Sequence, residues 1–101
     1  MKLKTKLNHY ETMVILSPKC TEKELKNLAF SYAQQLKRLG ASNISVISRG
    51  CRTFAYEMEG YTKGYFIEVF FQSSPELLSL HKNKLKLDKN VLRYSVSSLN
   101  K

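Results

Sequence analysis

The sequence predicts an α+β fold built in the order βαββαβ. Four stretches carry β-branched and aromatic residues or alternate with a period of two. Two others repeat apolar residues at helical spacing, each opened by cap-forming residues. In that order, two crossovers give a four-stranded antiparallel sheet with both helices on one face, the ferredoxin-like arrangement. The chain of 101 residues has room for one such domain and no second core. Residues 1–8 read as a basic N-terminal arm and 98–101 as a frayed tail.

His9 to Leu16 (HYETMVIL) reads as the first strand, with Tyr10, Thr12, Val14 and Leu16 on one face. Ser17-Pro18 ends it. Thr21 and Glu24 form a capping box, and Leu25, Leu28, Ala29, Tyr32, Ala33, Leu36 and Leu39 then recur at helical spacing up to Gly40. Ile44 to Ser48 and Phe54 to Met58 are strand pieces joined across Gly50, where a bulge or bend is expected. Glu59 to Gly64 reads as a turn region and Tyr65 to Phe71 as the third strand. Ser73, Ser74 and Pro75 open a second helix, with Ser73 and Glu76 as a capping box and Leu77, Leu78, Leu80, His81 and Leu85 along it. The last strand is expected from about Val91 to Ser97.

A hydrophobic fraction of 43% supports a packed core and excludes a disordered tail. The net charge of +9 points to a polyanionic partner. Most of that charge is lysine, a diffuse attractive field; the arginines Arg38, Arg49, Arg52 and Arg93 are the ones able to grip phosphate with a fork. Cys20 and Cys51 stand far apart, without CxxC or histidine at ligand spacing, so zinc is not expected and reduced thiols fit best. No apolar run approaches the ~20 residues of a membrane span. MKLKTKL at the start is too short for a signal or transit peptide, so the chain is expected to act where it is made.

Two segments carry the chemistry. In LDKNVLRY (Leu87 to Tyr94) a short turn leads into a strand. With Leu92, Tyr94 and Val96 facing one way, Arg93 faces the other, toward water or a phosphate. In RGCRTFAY (Arg49 to Tyr56), Arg49 and Arg52 flank a flexible glycine, and Phe54 and Tyr56 lie two apart. Guanidinium groups beside aromatic rings suit RNA, whereas the plainer reading puts both rings in the core.

With HYETMVIL and KGYFIEVFF, these segments resemble, in order and spacing, the bacterial-type small-subunit ribosomal protein six family across nearly the whole chain. The hairpin keeps that family's glycine-x-basic and Ala-Tyr signature in Gly50, Arg52, Ala55 and Tyr56. It departs at Thr53, Phe54, Met58 and Glu59. The resemblance implies a structural component of the small ribosomal subunit, not an enzyme. It would bind small-subunit ribosomal RNA paired with small-subunit ribosomal protein eighteen, and needs no cofactor or metal. On that reading Lys2, Lys4, Lys6, His9, Arg49, Arg52 and Arg93 face RNA, and Phe54, Tyr56, Phe66 and Phe70 face the protein partner. The lysine- and asparagine-rich composition fits an AT-rich genome: a plastid-encoded protein of the chloroplast stroma, with the bacterial cytoplasm as alternative.

Two other classes compete. KGYFIEVF partly matches the pattern of RNA-recognition motifs, which share this element order, but Ile67 stands where that pattern needs an aromatic. The expectation is that Tyr65, Ile67, Val69 and Phe71 face the helices and Phe66, Glu68 and Phe70 the open side. An acylphosphatase-like enzyme needs a glycine-rich phosphate loop with an arginine. The loop Ser17-Pro18-Lys19-Cys20-Thr21 has neither, and His9 and His81 have no nucleophile partner. His81 is expected to be a half-buried packing residue.

Overall fold

The computed structural model describes residues 8–99, and Lys2, Lys4 and Lys6 lie outside them. The order is β1 (Asn8–Leu16), α1 (Glu22–Arg38), β2 (Ser42–Met58), β3 (Tyr61–Ser73), a 3-10 turn (Pro75–Leu77), α2 (Leu78–Leu87) and β4 (Val91–Ser98). All strand pairs are antiparallel in one four-stranded sheet, as predicted, and the strand order is β2-β3-β1-β4.

The helix-facing side holds the core. Tyr10, Thr12, Val14 and Leu16 of β1 and Ile67, Val69 and Phe71 of β3 pack against Tyr32 and Leu36 of α1 and Leu85 of α2. Both capping-box hydrogen bonds are present: Glu24 N–H donates to Thr21 Oγ1 (3.2 Å) and Thr21 N–H to Glu24 Oε1 (2.9 Å). At the other end Gly40 N–H donates to the Lys37 carbonyl and Ala41 N–H to that of Leu36, closing α1 as its glycine predicted.

His81 is more deeply placed than expected, 1% exposed, in edge contact with Phe71 (centroids 5.4 Å). Gln35 donates its amide to the Leu80 carbonyl (3.4 Å), which turns its Oε1 toward His81 Nδ1 at 3.3 Å. Nδ1 therefore carries the proton, and Nε2 accepts from the Thr12 hydroxyl at 2.9 Å. Burial lowers the imidazole to about 4, so the ring stays neutral.

Several boundaries differ from expectation. The β2–β3 connection is a two-residue turn with Met58 paired to Tyr61 and positive φ at Glu59 (50°) and Gly60 (83°), so β3 starts four residues earlier. β3 also runs on to Ser73, because Asn8 and His9 supply ladder partners for Ser73 and Gln72. This removes the Ser73–Glu76 capping box: Ser73 is buried in the strand and its hydroxyl donates to the Ser74 carbonyl (3.1 Å). At the other edge the ladder slips between Ile15 and Leu16. Val91 rather than Leu92 therefore joins Tyr94 against the core. Ser98 belongs to β4, and Leu99 N–H still donates to the His9 carbonyl at 2.8 Å, so pairing extends into the expected tail.

Candidate nucleic-acid and protein interface

Three cross-strand rows form the middle of the open face of the sheet. Gly50, Phe66, Ile15 and Arg93 form one row across β2, β3, β1 and β4. Ile47, Glu68, Met13 and Ser95 form the next, and Ser45, Phe70, Glu11 and Ser97 the third. Residues directly opposite share a face. Arg93 thus lies on the same side as the aromatic rings, about two strand spacings (~10 Å) from Phe66.

The bulge predicted at Gly50 makes the first row possible. The ladder slips between Ser48 and Gly50, where φ is +81°, and then again between Thr53 and Met58. Phe54 thereby folds over the open face, its ring 6.0 Å from that of Phe66. It reaches this position above Gly64, where a Cβ would stand 2.8 Å from the Phe54 ring and 3.2 Å from Ile15 Cγ2. Phe54, Ile15, Phe66 and Phe70 form an apolar surface turned away from both helices. The core reading of Phe54 is excluded. Tyr56 is not part of this surface; 83% exposed, it projects from the part of β2 that has left the ladder.

The cations fall into two groups. Arg49 is paired with Glu68, whose side chain is 12% exposed, and Arg52 lies over the Phe66 ring at 6.0 Å and reaches the Arg49 carbonyl (3.4 Å). Both frame the apolar surface at β2. A hydrogen bond between Glu11 and Glu68, with burial and their like charge, raises the Glu11 carboxyl, while the same bond and Arg49 hold Glu68 low. Arg93 is exposed on the opposite edge strand, opposite Ile15. His9 sits at the end of the open face, where Gln72 Nε2 donates to its Nε2 at 3.1 Å; Asn43 in turn bonds Gln72.

The turn before β4 is bolted to the body of the protein. Asp88 accepts from the Tyr32 hydroxyl and from Asn90 N–H (2.9 Å), and the Asn90 carbonyl accepts from Ser17 N–H (2.9 Å). Burial, then the Asp88 contact, pushes the Tyr32 phenol well above its usual range. These bonds set where Arg93 leaves the turn.

Sequence reasoning did not single out Ile15 or Gly64. Ile15 is 7% exposed although it is on the open side. Its signal was parity: it alternates with the helix-facing Val14 and Leu16. Tyr65, the position on which an RNA-recognition motif would stack a base, packs against the core.

The sequence model of the family described as Ribosomal protein S6 matches residues 9–98. The chain is 45% identical over 87 residues to the small ribosomal subunit protein bS6c of Trieres chinensis, covering 86% of this chain and 91% of that one. It is 32% identical over 85 residues to bS6 of Trichodesmium erythraeum, covering 84% and 73%. The crystal structure of 30S ribosomal protein S6 from Thermotoga maritima superposes with a TM-score of 0.86 at 25% identity, over 92% of this chain and 88% of that one. The open apolar face therefore sits on a scaffold of known type, and the chain belongs to the bacterial-type ribosomal protein S6 family, structural proteins of the small ribosomal subunit and not enzymes.

Proposed function

We propose that this protein binds small-subunit ribosomal RNA together with small-subunit ribosomal protein eighteen, in a plastid, and thereby supports subunit assembly. The observation that carries the reading is the open sheet face, where half-buried Phe54, Phe66 and Phe70 stand over buried Ile15 between cationic margins. A contiguous apolar surface of this kind calls for a protein cover. Its margins, Arg52 at β2 and Arg93 at β4, supply guanidinium groups for phosphate where the cover ends. Algal relatives named bS6c, among them those of Trieres chinensis and Phaeodactylum tricornutum, support the plastid assignment.

The test is reconstitution. Wild-type protein should co-elute with protein eighteen and carry it onto small-subunit rRNA. Phe66→Glu should lose the protein partner and, with it, most RNA affinity. An intact complex for Phe66→Glu would move the partner off this face. Sedimentation of the native protein away from the small subunit would reject the reading as a whole.

A further inference from the structure

We propose that the cleft between α2 and β4 seats the phosphodiester backbone of RNA, held by Lys86 and Arg93 together. The proposal rests on the RNA-binding reading above and deepens it: it brings in Lys86 and puts the backbone along the β4 edge. The cleft has about 240 Å³ and is lined by Leu85 and Lys86 of α2 and by Val91, Leu92, Arg93 and Tyr94 of β4. The cleft thus has a cation on each flank: Lys86 on the helix side, and Arg93, whose side chain belongs to the open face, at the β4 edge, so that a backbone running along that edge passes both.

Among the described residues neither cation has an ion-pair partner. Among the described residues the one ion pair is Arg49–Glu68, on the far edge of the sheet. Asp88, the carboxylate nearest in sequence, is occupied by the Tyr32 hydroxyl and Asn90 N–H. From Leu78 to Ser98 the chain carries Lys82, Lys84, Lys86, Lys89 and Arg93 against Asp88 alone. Lys82 and Lys86, four apart on α2, continue the charge along one side of the helix, as a polyanion running past the cleft requires. β4 is also an edge strand, with no further strand of the sheet beyond it among the described residues to exclude a phosphate backbone, and Leu92 offers hydrocarbon to a ribose.

Lys86→Ala, Arg93→Ala and, as control, Lys23→Ala in the first turn of α1 are compared by co-sedimentation with small-subunit rRNA. The remaining small-subunit proteins are present, and KCl is varied. Lys86→Ala is expected to weaken binding several-fold and to flatten the log-log salt dependence by somewhat less than one unit, as Arg93→Ala does, whereas Lys86→Arg retains both. Lys23→Ala should match wild type. A Lys86→Ala protein indistinguishable from Lys23→Ala overturns the cleft while leaving RNA binding standing. Loss of affinity with an unchanged salt slope assigns Lys86 to a protein contact and equally overturns it. Absence of wild-type binding overturns the cleft and the functional reading together.

Discussion

The ring of Phe54 occupies the space above Gly64. A Cβ at residue 64 would lie 2.8 Å from Phe54 Cζ and 2.7 Å from the carbonyl oxygen of Leu16. The second contact is with backbone inside the β1 ladder and has no room to yield. Gly64→Ala is therefore expected to cost about 1–3 kcal/mol, the range for overpacking, and to displace Phe54 from the open face. Urea melts measure the first effect and partner binding the second. A variant as stable as wild type with full partner affinity would show that Phe54 does not need this gap.

Tyr32→Phe removes one hydrogen bond to Asp88 and leaves the ring in place. The expected loss is about 1–2 kcal/mol in a urea melt at neutral pH. Because the same turn launches β4, amide exchange at Asn90 and Val91 should also quicken. Unchanged exchange there would mean that Ser17 and Asn90 alone hold the turn.

The buried ring of His81 makes stability fall toward acid. Its ordinary value is 6.5 and burial lowers it to about 4, so between these the unfolded chain takes up a proton that the folded one refuses. The stabilisation is complete above pH 6.5 and disappears as pH falls toward 4, amounting to about 3 kcal/mol. Proton NMR of the His81 ring should show no titration down to pH 5. A midpoint near the ordinary value would sink this account.

Leu36 and Ile67 are 1% and 2% exposed, on α1 and β3 respectively. Truncating either to alanine should cost roughly 2–5 kcal/mol, a large part of a small domain's stability. Losses under half a kcal/mol at both would contradict the core as described.

Phe66 is half-buried under Phe54 and Arg52. Phe66→Glu should therefore lower stability modestly, by about 1 kcal/mol, while partner binding is lost outright. Comparing the melt with the binding assay separates the two effects. A collapsed fold would make Phe66 a core residue.

Element order, the cap of α1, the helix-facing side of β1 and the outward parity of Phe66 and Phe70 were legible in the sequence. Each depends on local periodicity or on a hydrogen bond within one turn, as between Thr21 and Glu24. Arg93's side was legible too, because alternation carries along a strand without reference to its neighbours. Tertiary structure decided what depends on pairing between distant strands. Whether Ser73 caps a helix or ends a strand was settled by Asn8 opposite it. Whether Val91 or Leu92 turns inward was settled by one slipped step against Ile15 and Leu16. The bulge at Gly50 was visible as a glycine and Phe54 was expected on the open face, but the choice against the core for Phe54 and the departure of Tyr56 into water came from the register of β2 against β3. A one-residue slip reverses every side chain beyond it, and no spacing within β2 alone records that slip.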